Sequence, residues 1–324
     1  MTSARRNQSN RSIVQSLNSV SPVTSPCFII AGPTAVGKSD IAVAVAERCG
    51  GEIVGADAFQ IYRGLDILTA KPSASLRARV PHHLIGEIPL TQSFDVAQYL
   101  RAARQRIAEI RARGRVPIVT GGTGLYLRAL TRGLADLPGA DAPLRAQLES
   151  QPLADLQRWL AELDPAGAAQ IDLKNPRRVI RALEVCLVTG RPFSSFREQW
   201  AGPPPGVRGV VLTLDRTVLN ARIDRRTEAM FTAGVIEEVR ATAEAGPTAS
   251  QTLGLREIRA LLAGQLTRAD CLAALQHATR RYAKRQMTWF RREPALEAID
   301  LGGIGDLNQF ADALARKADS KEDD

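Results

Sequence analysis

The segment from Gly32 to Ser39 constrains the fold of this chain more than any other part of its sequence. It reads Gly32-Pro33-Thr34-Ala35-Val36-Gly37-Lys38-Ser39, which fits the phosphate-binding pattern G-x-x-x-x-G-K-[S/T]. The apolar run Cys27–Ala31 predicts a buried strand before it, and Asp40–Cys49 predicts a helix after it. In that setting backbone N–H groups and the helix N-terminus bind phosphate, Lys38 reaches the terminal phosphates, and the Ser39 hydroxyl can bind Mg²⁺. The motif predicts phosphate binding and leaves open which molecule carries the phosphate.

The residues that follow continue to alternate between strand-like and helix-like patterns. Apolar runs predict strands at Glu52–Ala56 and Val116–Thr120, and Phe94–Arg113 has the periodicity of an amphipathic helix. Alternation of this kind is typical of parallel sheets with helices on their faces. The sequence therefore predicts an α/β fold, a P-loop-type parallel sheet flanked by helices.

A different pattern begins near residue 135. Strand signals give way to short helices separated by prolines, and Asn175-Pro176 is a favourable start for a helix over Arg177–Thr189. A further strand is predicted at Val207–Leu214, after a proline-rich return to the core. The predicted organisation is a core of 26–134 and 201–317, the latter mostly helical, a small all-helical insertion at 135–200, and disordered tails at 1–25 and 318–324.

Charge and cysteine content narrow the classes of function. The net charge is +9, and the basic residues cluster, which raises the expectation of a nucleic-acid partner, although each cluster alone is also explained by a solvated helix face. Four scattered cysteines predict neither a zinc site nor disulfides, which fits a reducing cytoplasm, and no apolar run is long enough to span a membrane. A monomer is expected. The clusters are Arg101, Arg104, Arg106, Arg111, Arg113 and Arg115; Arg177, Arg178 and Arg181; and Arg280, Arg281, Lys284, Arg285, Arg291 and Arg292.

Three segments that follow predicted strands are expected to meet in one crevice, because ligands bind beyond the carboxyl ends of parallel strands. They are the loop 32–39, the segment at Asp57, and the turn Gly121–Gly124. Asp57 has three open roles there, as Mg²⁺ ligand, general base or helix cap. The irregular segment from Gln60 to Pro72 is interpreted as a ligand loop. His82-His83 falls in a predicted loop without a third ligand, so no metal site is expected there.

Two arginine-rich helices offer further anion-binding groups. Arg222 and Arg226 lie one helical turn apart and suit a diphosphate, although salt bridges to Asp224 or Glu228 explain them equally well. The segment Arg280–Arg292 places several cations on one predicted helix face. That face suits the phosphate backbone of a nucleic acid, and a solvated amphipathic helix is the alternative.

Together these motifs resemble the bacterial tRNA dimethylallyltransferases. The resemblance extends over residues 26–295, and the sequence departs from the family pattern at Leu68, where glycine is usual, and at Leu253-Gly254-Leu255, where an aromatic residue is lost. The matching segments, in the family's order, are the loop 32–39, Asp57–Ile67, Thr69–Pro72, Pro81–Leu84, Gly121–Tyr126, Asn175–Glu184 and Lys284–Arg291.

The resemblance implies transfer of a dimethylallyl group from dimethylallyl diphosphate to N6 of the adenosine 3′ to the anticodon of tRNA, with release of pyrophosphate. It implies Mg²⁺ on Ser39, Asp57 as general base, and Thr34, Lys38 and Arg226 as further catalytic residues. The diphosphate is expected on the loop residues Gly32, Pro33, Thr34, Ala35, Val36, Gly37, Lys38 and Ser39 with Arg222 and Arg226. The tRNA anticodon stem–loop is expected on Asp57, Ala58, Phe59, Gln60, Thr123, Arg145, Arg177, Arg178, Val179, Ile180, Arg181, Ser250, Gln251, Thr252, Leu253, Gly254, Leu255, Lys284, Arg285, Gln286, Met287, Thr288, Trp289, Phe290 and Arg291.

Other readings of the same motifs remain open at this point. A prenyltransferase acting on free AMP would share the reaction but would need neither the basic helix nor the helical insertion. A P-loop small-molecule kinase would share the phosphate loop but would need a nucleobase pocket. A non-enzymatic RNA-binding protein would not need the intact Lys38, Ser39 and Asp57.

Overall fold

The computed structural model describes residues 27–135, 137–200, 208–242, 244–293 and 295–320. These residues divide into two compact units. One comprises the described residues of Arg132–Gly202, and the other comprises those of Pro22–Thr131 and Pro203–Asp324. The predicted disordered tail at 1–25 lies outside the described residues, as do 321–324 of the predicted C-terminal tail.

A six-stranded parallel sheet forms the centre of the larger unit, in the order β3-β2-β4-β1-β5-β6. Strands β1, β2 and most of β4 are buried, as expected for a parallel sheet covered by helices. The predicted fold class is therefore confirmed. The strands are β1 (Phe28–Ala31), β2 (Gly51–Gly55), β3 (His82–His83), β4 (Val116–Gly121), β5 (Arg208–Thr213) and β6 (Glu297–Asp300).

The helices follow the strands in the alternation that the sequence predicts. Those of the larger unit are α1 (Lys38–Cys49), α2 (Ala74–Arg79), α3 (Val96–Ala112), α4 (Gly124–Arg132), α9 (Arg216–Thr232), α10 (Val235–Arg240), α11 (Leu255–Leu262), α12 (Arg268–Phe290) and α13 (Leu307–Asp319). Those of the smaller unit are α5 (Ala142–Glu149), α6 (Leu153–Leu163), α7 (Pro165–Gln170) and α8 (Pro176–Thr189), followed by a 3₁₀ segment at Phe193–Trp200. No helix of the described residues is long and apolar enough to cross a bilayer.

The smaller unit contains helices and no strand in its described part. Asn175 caps α8 by accepting a hydrogen bond from the Arg178 N–H, as the Asn-Pro pair predicts. Its core includes Leu160, Val179 and Leu183, which are fully buried. The unit therefore has an apolar core of its own.

Three elements differ from the sequence-based predictions. His82-His83 is not a loop but the short strand β3, which pairs with β2 at the sheet edge. Glu297–Asp300 forms the mostly exposed edge strand β6 in a region predicted to be mostly helical. Helix α13 continues to Asp319, so residues 318 and 319 are ordered rather than part of a tail. Two-residue and solvent-exposed strands lack the apolar run by which a strand is recognised in sequence.

The register of the sheet brings the ends of three strands to one edge. Ala31 of β1 lies opposite Gly121 of β4, and Gly55 of β2 lies opposite Thr120 of β4. The segments that leave these strands therefore start side by side. This edge holds the site described below.

Leu212 on β5 is fully buried in the core between the sheet and its helices. Leu212→Ala is expected to lower the free energy of unfolding by about 2–5 kcal/mol, because it removes buried methyl groups and leaves a cavity. Denaturant unfolding measures this. Leu307→Ala, at a position 56% exposed, is the matched control and should change stability by about 0.5 kcal/mol or less. Equal losses in the two variants would contradict the assignment of the core.

Candidate active site

The loop 32–39 joins β1 to α1 as the motif predicts. Gly37 has φ 104° at the N-terminal cap of α1, a left-handed conformation that favours glycine. Ala35 is also left-handed, with φ 67°, which is uncommon for a residue with a Cβ. The Lys38 ammonium folds back and donates to the Pro33 carbonyl oxygen at 2.7 Å. Burial lowers the pKa of Lys38 to about 8, the carboxylate of Asp57 opposes the shift, and the charge of Arg226 adds to it.

Two arginines of α9 reach the loop from the other side. Arg222 Nη1 donates to the Val36 carbonyl oxygen at 3.1 Å, and Arg226 Nη2 donates to the Thr34 hydroxyl at 2.6 Å. Asp224 pairs with Arg280 of α12 instead. The Nε of Arg226 is buried and has no hydrogen-bond partner among the described residues. A buried, unsatisfied guanidinium N–H marks a position where an anion would be stabilised.

Asp57 follows β2 and stands across from the loop. Its Oδ1 accepts hydrogen bonds from the N–H groups of Phe59 and Gln60, at 2.9 and 3.3 Å. These bonds close the turn that follows Asp57 rather than cap a helix, because no helix begins there. The second oxygen, Oδ2, has no hydrogen-bond partner among the described residues and remains available as a base or a metal ligand. The backbone bonds to Oδ1 fix the orientation of the carboxylate.

A polar cavity of about 390 Å³ lies between these groups. Its wall includes residues of all three segments that the sequence places at one crevice, so that prediction is confirmed. Lys38, Arg222 and Arg226 line it with Asp57, and Lys71 lies in the wall, paired with Asp66. The remaining lining residues are Thr34, Ala35, Gly37, Ser39, Asp40, Ile53, Gln60, Thr69, Ala70, Pro72, Ser73, Leu76, His82, Ile85, Thr120, Gly121 and Gln286.

A smaller and more apolar cavity adjoins the first and shares Thr34, Asp57, Thr69 and Arg226 with it. The buried Thr252 hydroxyl in its wall has no hydrogen-bond partner among the described residues. Its other lining residues are Phe59, Leu68, Thr227, Met230, Leu253, Leu275, Thr279 and Tyr282. Asp57 therefore lies where the two cavities meet. We call the first, which Lys38, Arg222 and Arg226 line, the cationic cavity, and the second the apolar cavity.

The glycine-rich turn after β4 seats α12. Gln286 Nε2 donates to the Gly122 carbonyl oxygen at 2.9 Å, and Gln286 Oε1 accepts from the Thr34 N–H at 2.8 Å. A Cβ at Gly122 would lie 2.2 Å from Gln286 Nε2, and one at Gly124 would lie 2.2 Å from the Trp289 ring. Within this turn, Gly121 lines the polar cavity, whereas Gly122 and Gly124 allow α12 to approach closely. The turn and the α12 residues that contact it are more than 160 residues apart in sequence, so no local sequence pattern predicts the contact.

The donor set of the polar cavity fits a Mg²⁺ ion that is held partly by a ligand. Ser39 and Asp57 supply oxygen atoms, and magnesium commonly takes one or two protein oxygens together with phosphates and water. The described residues contain no cluster of three or more acidic, histidine or cysteine side chains of the kind that holds a metal without a ligand.

The residues predicted to contact tRNA fall into four groups. Ala58, Phe59, Gln60, Thr123, Thr252 and Leu253 lie at the two cavities or beside them, and Lys284, Arg285, Thr288 and Arg291 are exposed along α12, whereas Gln286 and Phe290 are buried, with Met287 and Trp289 half-buried. Ser250 and Gln251 are accessible, whereas Gly254 and Leu255 are buried at the start of α11. The fourth group belongs to the smaller unit.

In the smaller unit the predicted tRNA-contacting segment has two kinds of residue. Arg177 and Arg178 are exposed, whereas the side chains of Val179 and Ile180 lie in the apolar core and cannot form a surface contact. Arg145 and Arg181 both pair with the fully buried Glu184, at 2.8 and 2.6 Å. The predicted tRNA-contacting residues of the smaller unit thus include both exposed cations and core residues of the helix that carries them.

The arginine cluster at 101–115 is partly paired with acidic residues of the protein, although Arg101 is exposed and forms no ion pair with any described residue. Arg113 and Arg115 pair with the buried Glu52, which also bonds His83, and Arg106 pairs with Glu109. A cluster paired in this way fits the alternative of a solvated helix face better than a nucleic-acid surface.

The two departures from the family pattern have a simple structural setting. The Leu68 N–H donates to Glu238 Oε2 at 2.8 Å, and its side chain packs in the smaller cavity without a left-handed backbone. Leu255 fills a buried position where an apolar side chain suffices.

Comparisons with known proteins agree with this geometry. A family model described as IPP transferase matches residues 60–293. The chain belongs to the IPP transferase family. The resemblance stated from the sequence is therefore confirmed.

Several IPP transferases resemble the chain over most of its length. It is 45% identical over 282 residues to a tRNA dimethylallyltransferase of Geobacter sulfurreducens, covering 84% of this chain and 91% of that protein. It is similar to the solved tRNA isopentenylpyrophosphate transferase of Bacillus halodurans, with 36% identity, a TM-score of 0.65, and coverage of 91% and 97%. A solved eukaryotic dimethylallyltransferase acting on tRNA has 26% identity, a TM-score of 0.72, and coverage of 86% and 74%.

Gln286→Met tests the link between α12 and the phosphate loop. The substitution keeps the size of the side chain but leaves the Thr34 N–H and the Gly122 carbonyl without partners, which is expected to cost about 1–3 kcal/mol of unfolding free energy for each buried group. Denaturant unfolding and titration with inorganic pyrophosphate measure the effect, and pyrophosphate affinity should fall as the loop loses its support. Gln309→Met, at an exposed position on α13, is the matched control. A variant as stable as this control would mean that the two hydrogen bonds are dispensable.

Proposed function

We propose that this IPP transferase moves a dimethylallyl group from dimethylallyl diphosphate to N6 of the adenosine 3′ to the anticodon of tRNA, yielding N6-dimethylallyladenosine and pyrophosphate. The observation that supports this most directly is the position of Asp57. One oxygen of Asp57 is fixed by backbone N–H groups and the other is free, at the junction of a cationic cavity and an apolar cavity. A reaction between a diphosphate ester and a base needs both environments to meet at one general base.

The cationic cavity suits the diphosphate of the donor. Backbone N–H groups of the loop, the Lys38 ammonium and the guanidinium groups of Arg222 and Arg226 surround one space, and no nucleobase is needed for this recognition. A bound Mg²⁺, with the Ser39 hydroxyl among its ligands, would neutralise negative charge on the diphosphate oxygens. Arg226 and Lys38 stabilise the charge that grows on the leaving pyrophosphate because both lie in a desolvated site.

The chemical step follows from the position of Asp57. The N6 amine attacks C1 of the dimethylallyl group, the C1–O bond to the diphosphate breaks, and the pair of electrons leaves with pyrophosphate. The proton of N6 passes to Asp57, which makes the weakly nucleophilic amine a better attacking group. Thr34 receives a hydrogen bond from Arg226 and so holds that guanidinium at the edge of both cavities.

The lining of the apolar cavity suits an aromatic base or the prenyl chain, and its volume of about 40 Å³ means that it must widen to admit either group. Phe59 and Tyr282 present rings with centroids 6.3 Å apart, and the unsatisfied Thr252 hydroxyl offers one hydrogen bond to a polar ligand. Burial raises the pKa of Tyr282, so its phenol stays protonated. To reach this cavity the adenosine must leave its stack, which is easier in the anticodon loop than in a helix.

The proposed function also bears on the cellular compartment and the oligomeric state of the protein. Cys27, Cys49, Cys186 and Cys271 are free thiols, which suits the reducing cytoplasm, where we place the reaction on tRNA. A monomer remains the expectation from the sequence.

The proposal is tested by incubating the protein with Mg²⁺, labelled dimethylallyl diphosphate, and either unmodified tRNA or AMP. Label in tRNA is the expected result. Label in AMP alone would assign the chain to the AMP prenyltransferases, and ATP turnover without label would assign it to the kinases.

Two substitutions of Asp57 separate its roles. Asp57→Asn keeps an oxygen that can accept from Phe59 and Gln60 but removes the base, and is expected to lower the transfer rate by about 10²–10⁴-fold. Asp57→Ala removes the cap as well. Both variants should bind tRNA within a few-fold of the unsubstituted protein. Parallel loss of tRNA binding and stability in Asp57→Asn would show that the residue acts only on the fold.

The lowered pKa of Lys38 predicts a pH dependence of donor binding. A diphosphate favours the protonated ammonium, so its affinity is full below the pKa of about 8 in the free protein and is lost as pH rises above it. The KM for dimethylallyl diphosphate is expected to rise by up to about tenfold per pH unit above pH 8. Lys38→Arg keeps a charge that does not titrate in this range, and this alkaline rise should be absent. Persistence of the rise in Lys38→Arg would assign it to another group.

A further inference from the structure

A second groove, of about 530 Å³, lies between the start of α9 and the second half of α12. It takes no part in the chemical step proposed above, although four of its lining residues, Lys284, Met287, Thr288 and Arg291, belong to the segment that the family resemblance assigns to tRNA contact. The side of α12 that carries Ala283 and Met287 forms one wall, and Arg216, Leu219 and Asn220 of α9 belong to the other. Its remaining lining residues are Leu214, His277, Arg280, Arg281, Lys284, Thr288 and Arg291.

The groove carries a strong positive charge that the described residues leave uncompensated. The side chains of Arg216, Arg281, Lys284 and Arg291 are exposed and have neither hydrogen bond nor ion pair with any described residue. Arg280 differs, because it pairs with Asp224. Four free cations around one concave surface call for a ligand with several negative charges.

The floor of the groove is apolar. Leu214, Leu219, Ala283 and Met287 line it, and Leu219 and Ala283 are buried. An apolar floor beneath a rim of cations suits a ligand that combines phosphates with flat or carbon-rich parts. A strand of RNA has this composition, with phosphates for the rim and ribose or bases for the floor.

Helix α12 stands between this groove and the catalytic cavities. Tyr282 and Gln286 point to the cavities, whereas their neighbours Ala283 and Met287, about 100° further around the helix, line the groove. The two sites are thus separated by the width of one helix, about 10–12 Å with side chains. A strand whose target base enters the cavity can therefore continue across α12 into the groove.

We propose that this groove binds the backbone of the same tRNA next to the target adenosine, with Arg216 and Arg281 as phosphate-binding residues that the motif at Lys284–Arg291 does not include. This inference rests on the proposed function for the identity of the RNA. Its own content is the place at which the RNA backbone binds, which RNA titration measures independently of prenyl transfer.

The test compares charge reversals on and away from the groove. Arg216→Glu, Arg281→Glu and the double variant are titrated with an unmodified anticodon stem–loop RNA over a range of salt concentrations, and separately with inorganic tripolyphosphate. Arg316→Glu is the matched control, because Arg316 lies on α13, is also exposed, and forms no ion pair with any described residue. Titration with inorganic pyrophosphate checks that each variant retains an intact phosphate loop.

Each groove variant is expected to bind the RNA about tenfold or more weakly than the Arg316→Glu control. The slope of log affinity against log salt should become shallower by about 0.7 for each single-strand phosphate that is no longer neutralised, so by about 1.4 in the double variant. Equal RNA affinity in the double variant and the control would overturn the proposal. Weaker tripolyphosphate binding with unchanged RNA binding would also overturn it, because the groove would then be a site for a small polyanion.

Transfer of label by the unsubstituted protein is measured on the same samples. If RNA affinity falls in the groove variants while no prenyl group is transferred, the groove is an RNA site and the proposed function is wrong. If transfer proceeds and the groove variants bind RNA as the control does, the proposed function stands and the groove proposal fails.

Discussion

The side chain of Gln286 joins three parts of the larger unit that are distant in sequence. It accepts a hydrogen bond from the N–H of Thr34 in the phosphate loop and donates one to the carbonyl of Gly122 after β4, while its own helix, α12, carries the exposed cations. The hydroxyl of Thr34 in turn accepts a hydrogen bond from the guanidinium of Arg226. The buried amide of Gln286 thus links the phosphate loop, Arg226 and α12. Gly122 and Gly124 allow α12 to approach the turn after β4 this closely, because a Cβ at either position would clash with it.

The electrostatics of the site follow from what this arrangement buries. Lys38 and Arg226 are desolvated close to each other, which lowers the pKa of both, and the carboxylate of Asp57 compensates only part of the cost. The unsatisfied Nε of Arg226 shows the same imbalance in hydrogen bonding. A bound diphosphate would place negative charge beside these two cations and accept a hydrogen bond from the Arg226 Nε. Binding of the ligand would therefore offset the unfavourable free energy of burying the two cations close together.

Helix α12 meets a different environment on each side. Phe290 and Ala283 pack in the interior, Tyr282 and Gln286 border the catalytic cavities, and Met287 lines the second groove. A helix with these several surroundings shows little simple amphipathicity, which is why its sequence permitted both a solvated face and a nucleic-acid surface. The structure distinguishes clusters by their partners, since Arg106, Arg113 and Arg115 are paired with acids whereas Arg281, Lys284 and Arg291 form no ion pair with any described residue.

The sequence by itself determined the phosphate loop, the strands and helices around it, the parallel α/β fold and the family. These rest on residues close together along the chain, where spacing alone carries the information. The tertiary structure decided which oxygen of Asp57 is free, that Gly122 and Gly124 seat a helix, that Val179 and Ile180 belong to a core, and that β3 and β6 complete the sheet. The contacts of the two glycines and of Val179 and Ile180 join residues distant in sequence, and the two edge strands have little apolar character, so none of them leaves a periodic signal in the local sequence. The orientation of the Asp57 carboxylate depends on the nearby N–H groups of Phe59 and Gln60, but the residue types alone do not specify the turn that presents them.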